Sequence, residues 1–208
     1  MIFRVISFYE NKTCNYYKNI VLYIRAIREV EPGQDRKVAA LTFISYVHFF
    51  NGCVFMNKDE LYMKLALEEA KKAYLENEVP VGAVIVYHDK VLARSHNLRQ
   101  MTNDITNHAE LIAIREASQK INDWRLDDTT MYVTLFPCPM CAGAIVASRI
   151  KRLVVGTPTT DLKTQDLVLK ILEGNNTSPK VNVDLGILES DCREILSMFF
   201  KKQRYKES

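Results

Sequence analysis

The sequence predicts an α/β fold, a three-layer α-β-α sandwich with a mixed, mostly five-stranded sheet covered by helices on both faces. Three observations predict it. An amphipathic helical pattern over residues 59–77 is followed by two β-branched runs, 81–87 and 91–95, separated by turn chemistry. From Thr130 onward short apolar runs alternate with helical patterns, the order expected where helices cover parallel strands. The run 81–87 is almost continuously apolar, which marks a strand buried on both faces.

Residues 1–55 mix aromatic clusters such as Asn15, Tyr16 and Tyr17 with a polar stretch, 29–37, and show neither a sustained period nor caps. They read as an unassigned N-terminal extension or as the product of a wrong upstream start, with Met56 as the alternative. The folded domain is assigned to residues 56–208. Its first helix places Tyr62, Ala66, Ala70 and Ala73 inward, flanked by Leu61 and Leu65, and Glu68, Glu69, Lys71 and Lys72 outward. Val79 and Pro80 break it. His88, Asp89 and Lys90 join the two strands of a hairpin, and a polar loop follows over 97–106. The next helix runs from His108 to about Lys120, with Asn107 as N-cap and Leu111, Ile112, Ile114 and Ala117 inward.

A turn at Asp127 and Asp128 leads to a strand over 130–135, which Pro137 ends. Pro139 stands where a first helical turn tolerates proline, and that helix continues to Arg149. A short buried strand follows over 153–155, then a helix over 162–172 that stops at Gly174, and an edge strand over 181–184. Ser190 or Asp191 caps the last helix, which turns Cys192, Ile195, Leu196 and Phe199 inward and ends in the basic residues Lys201, Lys202 and Arg204.

Composition narrows the class further. A chain of 208 residues, 48% hydrophobic and 25% charged, suits a globular domain and excludes fibrous and wholly disordered classes. Seven of the 28 basic and four of the 25 acidic residues precede position 56, leaving 21 of each in the domain. A nucleic-acid partner must therefore be argued from local patches. Five cysteines, at 14, 53, 138, 141 and 192, with one close pair, fit a reducing compartment and a metal site better than a disulfide framework. The expected location is cytoplasmic. The most apolar run, 41–56, is interrupted by Ser45, His48, Asn51 and Gly52 and falls short of the roughly 20 residues of a membrane span.

The chemistry concentrates between Asn107 and Cys141. His108 and Glu110 form H-x-E at one helix start, and Pro137, Cys138 and Cys141 form P-C-x-x-C at another. One His and two Cys offer three of the four ligands that a tetrahedral zinc ion takes. Both helix N-termini point their partial positive charge at such a site, favouring thiolates. A C-x-x-C pair alone also fits a structural staple, but a closed structural site wants a fourth Cys or His. Cys14 and Cys53 lie in the unassigned extension, Cys192 reads as core and His88 as a turn residue. The reading is an open site holding one Zn²⁺ per chain on His108, Cys138 and Cys141, with Glu110 moving protons to and from a bound water.

At these residues the chain resembles the cytidine and deoxycytidylate deaminase superfamily, and within it is similar to the tRNA-specific adenosine deaminases. The resemblance spans residues 58–204 and includes the segments 78–84, 131–135, 141–144, 148–150 and 186–200. It implies a cytidine deaminase-like fold, zinc ligation by His108, Cys138 and Cys141, and proton shuttling by Glu110. Asn97 matches an asparagine that hydrogen-bonds the target nucleoside, while Val81, Gly82, Ala83 and Ala109 match residues that line the base pocket. Asn97 also fits a loop residue bonding its own backbone, and Gly82 and Ala83 fit small residues that let helix and sheet approach. Lys201, Lys202 and Arg204, with Lys206, resemble a basic C-terminal helix that contacts RNA phosphates; they equally fit a solvated helix end.

Two departures stand out: Phe136 replaces the family's usual Glu before Pro137, and residues 157–166 lack the glycine of a small-residue loop near the substrate. The expected activity is hydrolytic deamination of adenosine to inosine at the wobble position of a tRNA anticodon stem-loop, by a homodimer. The alternatives are deamination of a free nucleobase or nucleotide (cytosine, guanine or deoxycytidylate) and an inactive zinc-binding partner subunit.

Overall fold

The computed structural model describes residues 57–206. The expectations for residues 1–55, including the apolar run that begins at Leu41, lie outside the described residues.

Helix α1 (Lys58–Leu75) starts at Asn57, whose side chain accepts from the Asp59 backbone N–H, and Asp59 and Glu60 in the first turn suit the positive end of the helix dipole. Strands β1 (Gly82–Tyr87) and β2 (Lys90–His96) pair antiparallel. His88 and Asp89 join them with φ of 46° and 62°, the two positive values a type I′ turn requires. A short helix, α2 (Arg99–Thr102), precedes α3 (Ala109–Ile121). Then come β3 (Thr129–Leu135), α4 (Pro139–Ala147), β4 (Arg152–Thr157), α5 (Leu162–Leu172), β5 (Asn182–Leu185) and α6 (Glu189–Lys206).

The sheet order is β2-β1-β3-β4-β5, with β1 antiparallel to β2 and β3, and β3, β4 and β5 parallel. The predicted mixed five-stranded sheet is the one observed. Alternate residues of the central strands feed two cores, because successive side chains leave opposite faces. Ala83, Ile85, Met131, Val133, Leu153 and Val155 pack with α3, α4 and α5 through Ala113, Ile145 and Val168. Val84, Val86, Tyr132 and Val154 pack with α1 and α6 through Met63, Ala66 and Cys192.

Several local expectations are corrected. Glu69 is buried, not outward: α1 lies against β2, and Arg94 Nε (2.8 Å) and Lys72 Nζ (2.9 Å) neutralise its carboxylate, with His96 Nδ1 at 3.3 Å. His108, not Asn107, holds the N-cap position of α3. Asn107 instead donates to Thr102 Oγ1 and accepts from Arg115. The buried face of α3 is Ala109, Ala113 and Ala117, small residues four apart that admit a close approach to the sheet, while Leu111 and Ile112 are half-buried. Helix α4 ends at Ala147, because Arg149 turns to φ 63°. The loop 97–106 contains α2. Helix α6 begins at Glu189, so Ser190 and Asp191 lie in its first turn and neither caps it.

Candidate active site

Three chain segments meet at one end of the sheet. Strand β3 ends at Leu135, and Pro137 and Pro139 turn the chain straight into α4, leaving Cys138 as its N-cap residue and Cys141 in its first turn. His108 is the N-cap residue of the neighbouring α3. Neither cap uses a side-chain hydrogen bond to the helix, so both side chains are free to face each other. His108 Nδ1 lies 3.7 Å from Cys138 Sγ and 3.5 Å from Cys141 Sγ, and the three ligand atoms fall within 4.8 Å of one another.

Tetrahedral zinc with Zn–S near 2.3 Å and Zn–N near 2.0 Å sets neighbouring ligand atoms roughly 3.5–3.8 Å apart. The two nitrogen–sulfur distances match that spacing, and the donor set of one imidazole and two thiols suits zinc. Among the described residues, these three form the metal-capable cluster. Cys192 is packed in the opposite core, beside α1, so it offers no fourth ligand.

The two thiols of the cluster are driven in opposite directions. The hydrogen bond from Cys141, helped by His108, pulls the Cys138 thiol down to about 4, while the same bond and burial push Cys141 up. The hydrogen bond to Cys138 raises His108. Glu110, in the first turn of α3, is 4% exposed, and burial raises its carboxyl above the usual carboxylate range. Burial there favours the protonated carboxyl over the carboxylate.

The cluster opens into a cleft of about 150 Å³. Val79, Val81, Asn97, Arg99, His108, Glu110, Leu135, Phe136 and Cys138 line it. Of the expected pocket residues, Val81 and Asn97 stand on this wall. Gly82, Ala83 and Ala109 are not among its lining residues. Gly82 presses on α1 and donates its N–H to Thr134 Oγ1; Ala83 sits in the core, and Ala109 is buried with its carbonyl accepting from Ser95. In α6, Lys201 and Arg204 are exposed, whereas Lys202 donates to Asn77 Oδ1 and lies 5.2 Å over the Tyr74 ring.

Sequence reasoning missed Glu78 and Arg99. Glu78 is fully buried, accepting from Asn97 Nδ2 at 3.0 Å and from the Met101 N–H at 2.7 Å. The signal for Glu78 was its place at the start of the family-like segment 78–84, just before Val79 and Pro80, and an acidic residue there fits a solvated turn equally well.

Residues 56–157 match the model of the cytidine and deoxycytidylate deaminase zinc-binding region. A tRNA-specific adenosine deaminase from Bacillus subtilis (strain 168) is 43% identical over 152 residues, covering 73% of this chain and 94% of that relative. The chain belongs to the cytidine and deoxycytidylate deaminase family. Within that family it is also 45% identical over 149 residues to a tRNA-specific adenosine deaminase of Buchnera aphidicola subsp. Schizaphis graminum (strain Sg), covering 72% of this chain and 98% of the relative.

A solved structure from work on A-to-I editing by tRNA:A34 deaminases superimposes with a TM-score of 0.59 at 38% identity, over 64% of this chain and 97% of that one. The structure of NE0047 in complex with 2,6-diaminopurine shares the fold at 19% identity, with a TM-score of 0.56 over 68% of this chain and 80% of that one. As a member of this deaminase family the chain is a zinc-dependent hydrolytic deaminase, and His108, Cys138 and Cys141 fit its one zinc ion. No helix among the described residues is long and apolar enough to cross a membrane.

Proposed function

We propose that the protein converts adenosine to inosine at the wobble position of a tRNA anticodon. The observation that carries this reading is the juxtaposition of the buried Glu110 carboxyl with the His108–Cys138–Cys141 cluster at the foot of an open cleft. Bound zinc supplies Lewis acidity and lowers the pKa of a water to about 7. Glu110 would take one proton from the attacking water and deliver it to the ring nitrogen, then take the remaining proton from the new C6 hydroxyl and deliver it to the departing amine as the C6–N bond breaks, so that water and adenosine become inosine and ammonia. Asn97 and Val81 hold the nucleoside, and Phe136 supplies an apolar wall beside Cys138. A base that reaches Glu110 at the foot of the cleft must leave its stack, as it does readily in an anticodon loop.

The exposed Lys201 and Arg204 suit phosphate contacts, and Lys202 anchors α6 to the end of α1. The protein acts as a homodimer through α4, whose Met140, Gly143, Ala144 and Ala147 leave a stripe at helical spacing only partly covered. It works in the cytoplasm, where Cys138, Cys141 and Cys192 stay reduced. Inosine mapping of an anticodon stem-loop incubated with the zinc-loaded protein tests the reading. Inosine at the wobble position, with free adenosine, guanine, cytosine and deoxycytidylate left intact, is the expected result. Ammonia release from a free base or nucleotide with an unchanged stem-loop would overturn it, and inertness towards all of them would mark an inactive subunit.

A further inference from the structure

We propose that Glu78 is a positioning residue that fixes the side-chain amide of Asn97, so that the cleft presents the Asn97 carbonyl oxygen as a hydrogen-bond acceptor. Glu78 follows α1 and is fully buried, and both its carboxyl oxygens are engaged: Oε2 accepts from Asn97 Nδ2 at 3.0 Å and Oε1 from the Met101 N–H at 2.7 Å. A carboxylate offers only acceptors, so Asn97 must turn its NH₂ group toward it. The reverse orientation would set two acceptor oxygens against each other at hydrogen-bond distance.

The consequence falls on the cleft. Asn97 is 5% exposed and lines it. With one Nδ2 hydrogen committed to Glu78 and the amide orientation thereby fixed, Oδ1 takes no hydrogen bond from the described residues and meets a donor on the bound nucleoside. The second bond reaches α2, the element that carries Arg99 onto the same wall. One carboxyl thus sets the polarity of Asn97 and the position of the segment beside it.

Glu78→Gln is the informative change, because a glutamine has one acceptor for two donors and its NH₂ group can drive Asn97 to flip. The substrate arm of the test rests on the proposed function, and the spectroscopic arm does not. In the zinc-loaded wild type, nuclear magnetic resonance should show slowly exchanging Asn97 side-chain NH₂ protons, and the Glu78→Gln variant should lose that protection. Free exchange in the wild type overturns the proposal, whatever the variants do.

On a stem-loop substrate, Glu78→Gln should lower kcat/KM ten- to a hundredfold, chiefly through KM, with zinc content unchanged. In an Asn97→Ala background the same change should matter less than twofold. Independent, multiplying effects of the two substitutions, or a Glu78→Gln protein within twofold of wild type, would make Glu78 merely structural. A wild type that converts no stem-loop defeats the proposed function and leaves the exchange measurement to decide the orientation of Asn97.

Discussion

A carboxyl that is 4% exposed and whose affinity for its proton is raised by burial holds that proton more readily than a solvated carboxylate does. Replacing Glu110 by Gln keeps the size and removes the titratable carboxyl. The expected outcome is a fall in kcat of about 10²- to 10⁴-fold with one zinc per chain retained, read by inosine yield and metal analysis on the same preparation. Unchanged turnover would remove Glu110 from the proton path. At this scale the sequence was legible where chemistry is local. His108 with Glu110, and Cys138 with Cys141, sit two and three residues apart at helix starts, so spacing alone brings them together. Buried carboxylates whose partners come from distant strands and loops were not legible. Glu69 meets Arg94 and His96, and Glu78 meets Asn97 and Met101, through pairings that arise only when β2 folds back on α1.

Among the elements, the contact between α1 and β1 accounts for the small residue at Gly82. A Cβ there would lie 1.9 Å from the Ala66 carbonyl oxygen and 2.6 Å from the Ala70 nitrogen, both backbone atoms of α1 that no rotamer change can move. Gly82 is glycine for close packing. Gly82→Ala should lower the free energy of unfolding by about 3 kcal/mol or more, since overpacking against rigid backbone sits at the costly end of such changes; urea denaturation reads it. Gly143 makes the opposite case. In α4 nothing lies within 4 Å of its added Cβ, so Gly143→Ala should stabilise the isolated chain by roughly 0.5–1 kcal/mol through helix propensity. If α4 forms the homodimer face, sedimentation of that variant should show weakened association. Helix and strand existence followed from periodicity, because α1, β1, β3 and α5 each bury a pattern their own residues announce. The inward face of α3 followed only in part: Ala117 is buried and Ile114 packs against the core as expected, whereas Ala109 and Ala113 carry little hydrophobic signal and yield in the pattern to Leu111 and Ile112, which stay half-buried.

For the molecule as a whole, stability should respond to both metal and pH. Zinc bridging the starts of α3 and α4 would bind the folded chain and not the unfolded one, so a chelator should lower Tm and restored zinc should recover it. A second tie lies on the opposite face of the sheet. Asp59 at the start of α1 accepts from Arg152 Nη1 (2.7 Å) and Nη2 (2.8 Å) on β4 and from the Tyr132 hydroxyl (2.8 Å) on β3, and Arg152 Nε reaches Asp184 on β5 (2.7 Å). The guanidinium holds the Asp59 carboxyl below its usual value, with the Tyr132 hydroxyl contributing. A depressed carboxyl binds its proton more weakly folded than unfolded. Its stabilisation is therefore complete above the unfolded value of about 3.9 and fades as pH falls through the lower folded value. Asp59→Asn should accordingly cost about 2 kcal/mol at pH 7, in line with hydrogen bonds between charged groups. The gap between variant and wild type should narrow below pH 4 as Asp59 in the wild type takes up its proton. Urea midpoints for both proteins at pH 7 and near pH 3 measure it, and a gap that stays constant between them would mean that the tie among α1, β3 and β4 is held by shape and neutral hydrogen bonds, not by the charge on Asp59.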